Sequence, residues 1–229
     1  MIMMYSDYSS EKGGSQLLHR VFAWMTVALA ITGVTAWGIA NYPPVLTFVF
    51  KNPMVMIPLF LGQLGLVIYL SFRIHKMSYS TAIITFLFYS FLTGVTFSIF
   101  FLQYTHESIA MTFLLCSAMF ATMAVYGYFT RADLSSMGSI LFMGIIGLIV
   151  SLFINMFLRS SAFDYLISMA GIIIFTLLTA YDVQQIKRLG QQMPGASLGN
   201  LAIIGALKLY LDFINLFLYL LRFFGQRRD

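Results

Sequence analysis

Residues 201–225, LAIIGALKLYLDFINLFLYLLRFFG, are apolar enough to enter a bilayer, yet they carry Lys208, Asp212, Asn215 and Arg222. On a helix, Lys208, Asp212, Asn215, Tyr219 and Arg222 recur at spacings of four, three, four and three, which puts all five on one face. Leu209, Phe213, Leu216, Phe217 and Leu220 make the other face hydrocarbon. A carboxylate facing lipid costs at least ~2.5 kcal/mol, so Asp212 must face protein or water and have a partner. The nearest candidate stands one helix upstream, in FTLLTAYDVQQIK, where Asp182 closes another apolar run.

Composition sets the class around that segment. Of 229 residues, 60% are hydrophobic, 17% aromatic and 9% charged, with a mean hydropathy of +0.87. At ~20 residues per spanning helix there is room for six or seven spans and for no sizeable soluble domain. The expected fold is an all-α integral membrane protein with a single transmembrane domain. Cys116 is the only cysteine, which excludes an intrachain disulfide and a cysteine-based zinc site. Any metal must be held by oxygen ligands.

In chain order, residues 1–20 are polar and mixed in charge without a cleavage-site pattern, and read as a cytosolic tail or a short interfacial helix. The transmembrane domain then covers 21–225, with spans near 21–40, 54–72, 82–102, 109–129, 138–158, 163–182 and 201–225, and 226–229 is a short basic tail. Trp24 and Trp37 suit the two interfaces of the first span. The pair Pro43-Pro44 stops that span. Residues 190–199, with Pro194 and Gly195, form the most flexible-looking connection.

With the N-terminus cytosolic, Lys12, Arg20, Arg73, Lys76, Arg131, Lys187 and Arg188 lie inside and only Lys51 and Arg159 outside, before the last segment. Arg222, Arg227 and Arg228 disturb this bias if the last segment spans. Two readings stay open, seven full spans or six with a re-entrant final segment surrounded by protein or water.

Lys187 and Arg188 follow Asp182, whereas Lys208 precedes Asp212 on a helix running the other way. If these cations reach one interface, both acids lie about one turn inside it, at ~1.5 Å per residue, and can meet. Thr176 and Thr179 share the rough face of Asp182. Two carboxylates in a dry site cannot both stay ionised cheaply, so the pair would titrate as a unit. That is a proton-operated latch: a shared proton joins the helices, and its loss separates them or recruits a cation. Calcium wants several oxygen ligands, and Asp182 and Asp212 with Tyr181, Asn215 and backbone carbonyls would supply part of such a shell.

Plainer readings exist for the same residues. Lys208 and Asp212 at i,i+4 make an intrahelical ion pair, and Asp182 complements Lys187 or Arg188. Arg73 and Lys76 read as topology markers, with a supporting role beside the acids as the functional alternative. His19, His75 and His106 share no helix face and make no metal site. Gln63 reads as a helix-packing hydrogen bond, and Gly94, Gly144 and Gly147 as sites of close helix approach. A tyrosine-aspartate pair suggests an intramembrane aspartyl protease, but LYLD lacks the glycines such a site needs, and no phosphate loop, zinc-protease or serine-nucleophile motif occurs. The expectation is therefore not an enzyme. The pI near 9.4 fits loops facing anionic lipid and implies no nucleic acid.

AYDVQQIK and LYLDFINLFLYLLRFFG together resemble the motifs of the Bax inhibitor-one, or transmembrane Bax inhibitor motif, family. YGYFTRADLSSMGSILFMGIIGLIVSLFINMFL is similar to the middle of its bacterial members, so the resemblance runs from about Val21 to the C-terminus. It implies six helices around a central seventh and a paired-aspartate pH sensor, Asp182 and Asp212, controlling a calcium leak. It also implies suppression of cell death in eukaryotic relatives. Short loops suggest the bacterial branch and the inner membrane. The alternative is a protein that binds and regulates other membrane proteins without transport of its own.

Overall fold

Long apolar runs punctuated by prolines and by serine, threonine or asparagine caps give this chain a series of helices. The structure, a computed structural model, describes residues 2–192 and 198–228. The helices are α1 (Ile2–Ala40), α2 (Pro43–Lys51), α3 (Pro53–Arg73), α4 (Tyr79–Phe97), α5 (Phe100–Gln103), α6 (His106–Phe129), α7 (Met137–Leu158), α8 (Ser161–Gln192) and α9 (Leu198–Phe224), with a 3-10 turn at Ile74–Lys76. Pro43-Pro44 ends α1 as expected, but the same residues open the short α2, because proline is pre-shaped for the first turn of a helix. Asn52, Ser78 and Thr105 accept backbone N–H bonds from Met54, Thr81 and Ser108 and so cap α3, α4 and α6.

Seven of these segments are long and apolar enough to cross a membrane: α1, α3, α4 with α5, α6, α7, α8 and α9. The chain is an all-α integral membrane protein. Its last helix is central, since 67% of the most apolar window of α9 is buried, against 6% in α3. α9 packs on α8, α1, α6 and α4, whereas α3 attaches mainly through α4 and α2, and α7 through α8. Close crossings rest on glycine. A Cβ on Gly13 would come within 2.5 Å of the Gly190 carbonyl oxygen, and one on Gly127 would collide with the Ala180 backbone. Gly94 meets α1 at Thr32 and Thr35, as a close-approach residue should, but Gly147 has nothing within 4 Å and serves no contact.

α9 runs unbroken through the bundle, so the re-entrant reading is set aside. Near its start, the Asn200 side chain donates to the Met77 carbonyl at 2.8 Å. Past its end, the Thr105 N–H donates to Gln226 O at 3.1 Å and the Arg228 N–H to Gln103 O at 2.9 Å, fastening the chain end to the turn between α5 and α6.

Two boundaries differ from those read in the sequence. α1 begins before residue 21, because Leu17 and Leu18 are buried and continue its packed face. α8 runs past Asp182 to Gln192, because its polar end is satisfied by the last turn of α6 and the loop after it. Gln184 receives the Leu134 N–H and donates to Ala132 O, Lys187 donates to Tyr128 O at 2.8 Å, and Arg188 pairs with Asp133 at 2.7 Å. Asp182 thus lies ~15 Å inside the end of its helix, at 1.5 Å per residue. Half of the 190–199 connection, residues 193–197, is outside the described residues.

Candidate functional site: an acidic cavity between α7, α8 and α9

The polar stripe of α9 turns toward α8 and α7, where a cavity of about 630 Å³ opens. Lys208, Asp212, Asn215 and Tyr219 line it from α9, and Tyr181 and Asp182 from α8. Phe142, Ile145, Leu148 and Leu152 of α7 form an apolar wall. Asp182 and Asp212 are 7% and 5% exposed, so two largely buried carboxylates from antiparallel helices border one cavity.

Lys208 resolves which acid is paired. Its Nζ lies 3.5 Å from Asp182 Oδ1, across the helix interface, and not within ion-pair distance of Asp212. The intrahelical Lys208–Asp212 pair is therefore absent, and Lys187 and Arg188 are engaged with Tyr128 and Asp133, away from Asp182. Asp212 Oδ2 is fully buried and has no hydrogen-bond partner among the described residues. No hydrogen bond joins the two carboxylates among those residues; what they share is the cavity. Asn215 is half-buried and donates to the Leu211 carbonyl of its own helix at 2.7 Å, leaving its side-chain oxygen beside the cavity.

Other expected participants stand elsewhere. Arg73 and Lys76 are exposed at the end of α3 and in the following turn, and neither lines the cavity. Thr179 is buried and bonds to the Phe175 carbonyl, so the acids are not surrounded by threonine hydroxyls. Arg222 leaves the polar stripe to pair with Asp164 at 3.3 Å, near the other end of α8. Gln63 donates to Thr96 Oγ1 at 3.3 Å, as a packing residue would.

With this geometry in place, comparison with known proteins is informative. The family described as inhibitor of apoptosis-promoting Bax1 matches residues 14–229. The chain belongs to this Bax inhibitor family. It is 46% identical to the "Inner membrane protein YbhL" of Escherichia coli (strain K12) over 212 residues, 91% of each chain. It is 45% identical to an uncharacterized protein of Borreliella burgdorferi over 94% of each chain. A membrane protein of Streptococcus pyogenes serotype M1 is 32% identical over 95% of each.

This Bax inhibitor family member also uses residues that periodicity does not reveal. Gly138 makes room for the Tyr181 hydroxyl, and Gly171 for the Tyr219 ring, since a Cβ on either would come within 2.5 Å of the tyrosine. Both tyrosines can border the cavity only because those two positions are bare. Outside the spans, Asp133 is held at about 2 by the Ser135 backbone N–H and then by Arg188, which marks it as a loop staple.

Proposed function

We propose that this chain is a pH-sensitive cation leak channel, with calcium as cargo, in which Asp182 and Asp212 form the proton sensor. The observation that carries it is the convergence of two buried carboxylates and one lysine on a single cavity, with Asp212 Oδ2 unpartnered. Charge counting gives the mechanism. Lys208 balances one acid; one proton shared by the pair balances the other, and the site is neutral and shut. When that proton leaves, a net negative charge stands in a low-dielectric space, which drives α8 and α9 apart or draws in a cation. Tyr181, Asn215 and backbone carbonyls add oxygen ligands for a hard cation, which the two carboxylates alone would not satisfy. The aspartates are thus sensor and calcium ligands in turn. The process is transport, not catalysis.

The likeness to an inner membrane protein supports placement in the bacterial inner membrane. The cations at the end holding Arg20, Arg73, Lys76 and Arg131 support a cytosolic N-terminus.

The test is calcium flux into vesicles containing only this chain, between pH 6 and 8. Flux rises with pH, by up to about tenfold per unit below the midpoint. Asp182→Asn and Asp212→Asn each flatten the profile. Flux that keeps its pH dependence in both variants would refute the sensor. No flux at any pH would support the alternative of a regulator that acts by binding other membrane proteins.

A further inference from the structure

α9 borders empty space on its other side as well. α1 and α6 both pack on α8 and α9 but form no packed interface with each other, and the gap between them holds two cavities of about 300 and 460 Å³. Phe213 lines both, which sets the two cavities one after the other along the α1–α6 groove. On α1 the lining runs from Ser15 to Ala36, ~31 Å at 1.5 Å per residue, which equals the hydrocarbon thickness of a bilayer. Neither cavity is enclosed.

The larger cavity has an apolar body and a polar mouth. Phe22, Met25, Phe120, Ala121 and Phe213 form the body. Such walls offer water none of the two to four hydrogen bonds it needs, so the space suits hydrocarbon better than water. Toward the N-terminal end the lining becomes Ser15, His19 and Tyr128, and the Lys187 ammonium sits 4.3 Å from the centre of the Tyr128 ring. Lys12 lies two turns before His19 on the same side of α1 and is exposed. An apolar track ending among cationic and hydroxyl groups matches a molecule with a long tail and an anionic head.

We propose that the N-terminal half of the α1–α6 groove is a binding site for an anionic phospholipid, with an acyl chain laid against Phe213 and the headgroup at the mouth marked by Ser15, His19 and Lys187. The site is separate from the acidic cavity and does not depend on ion conduction. Phe213 follows Asp212 directly, turned about 100° around α9 from it, so lipid in the groove braces the helix that carries the acid.

Native mass spectrometry of the full chain in detergent, titrated with palmitoyl-oleoyl phosphatidylglycerol or phosphatidylcholine, reads the site directly. Phosphatidylglycerol is expected to bind about tenfold more tightly, as several basic groups near a headgroup imply. Ala121→Trp, an exposed groove position, fills the track and lowers phosphatidylglycerol binding at least ~tenfold, whereas His19→Glu removes the preference between the lipids. A phosphatidylglycerol with a diazirine in its acyl chain, photolysed on the unmodified protein, labels peptides containing Phe120 and Phe213, so the test does not depend on the folding of a variant. Equal binding of the two lipids, retention unchanged by Ala121→Trp, or labelling confined to α3 and α7 would each overturn the proposal.

Discussion

Two sides of α9 bury polar groups, and they do it differently. On the side toward α1 and α4, Tyr210 is fully buried, with its hydroxyl 2.7 Å from Thr32 Oγ1, which also reaches the Ser90 carbonyl at 3.0 Å. Phe86 and Tyr89 meet its ring edge-on. Every group there is neutral and paired. On the side toward α7 and α8, two carboxylates and one lysine line a cavity; the lysine pairs with Asp182, and one oxygen of Asp212 is unpartnered. A closed neutral network fixes register at little risk, while a charged, incompletely satisfied one stores free energy that a proton or a cation can release. The neutral, paired network and the charged, incompletely satisfied one thus lie on opposite faces of one helix.

The contrast breaks most visibly if Lys208 is removed. Lys208→Met leaves Asp182 buried without its counter-charge. Because the lysine side chain is half exposed, the expected loss is ~2 kcal/mol, below the 3–5 of a fully buried pair. Chemical unfolding in detergent should show that loss, and Asp182→Asn in the same chain should restore most of it. Thr32→Val attacks the neutral side. It strips the Tyr210 hydroxyl of its closest partner and costs ~1–2 kcal/mol in the same assay, while the pH profile of calcium flux keeps its shape. Asp212→Asn works in the opposite direction. Removing a buried charge with an unsatisfied oxygen raises stability by ~1 kcal/mol and abolishes the pH response, a trade expected of a functional site.

The smallest effect belongs to the loop staple. Asp133 titrates at about 2, below its ordinary 3.8, so its contribution to stability is complete above pH ~4 and is lost as pH falls from 4 toward 2. Arg188→Gln should raise the Asp133 value only part of the way, since the Ser135 backbone N–H is the larger cause; carbon-13 NMR of the labelled carboxyl measures it.

The spans and the polar face of α9 were legible because hydropathy and a spacing of three and four report directly on membrane and helix. That Asp182 and Asp212 border one cavity agrees with their compared depths on antiparallel helices, but the hydrogen bond between them that a shared proton implies is not made among the described residues. Three features were not legible. Lys208 stands four residues from Asp212, so spacing suggests the intrahelical partner, and only the packing of α8 against α9 shows that it reaches Asp182. Hydropathy falls off after Asp182 although the helix continues, because Gln184, Lys187 and Arg188 find partners in the last turn of α6 and the loop after it, remote in sequence. Gly147 and Gly171 look alike in the chain; one faces open space and the other makes room for Tyr219.

The central claim is that Asp182 and Asp212 hold a single proton between them. Infrared difference spectra of the reconstituted protein between pH 8 and pH 6 measure protonated carboxyl groups directly. The account predicts one protonated-carboxyl band per chain that appears on acidification and is lost or displaced in both Asp182→Asn and Asp212→Asn. A band untouched by one of those substitutions, or no such band over the whole interval, would contradict it.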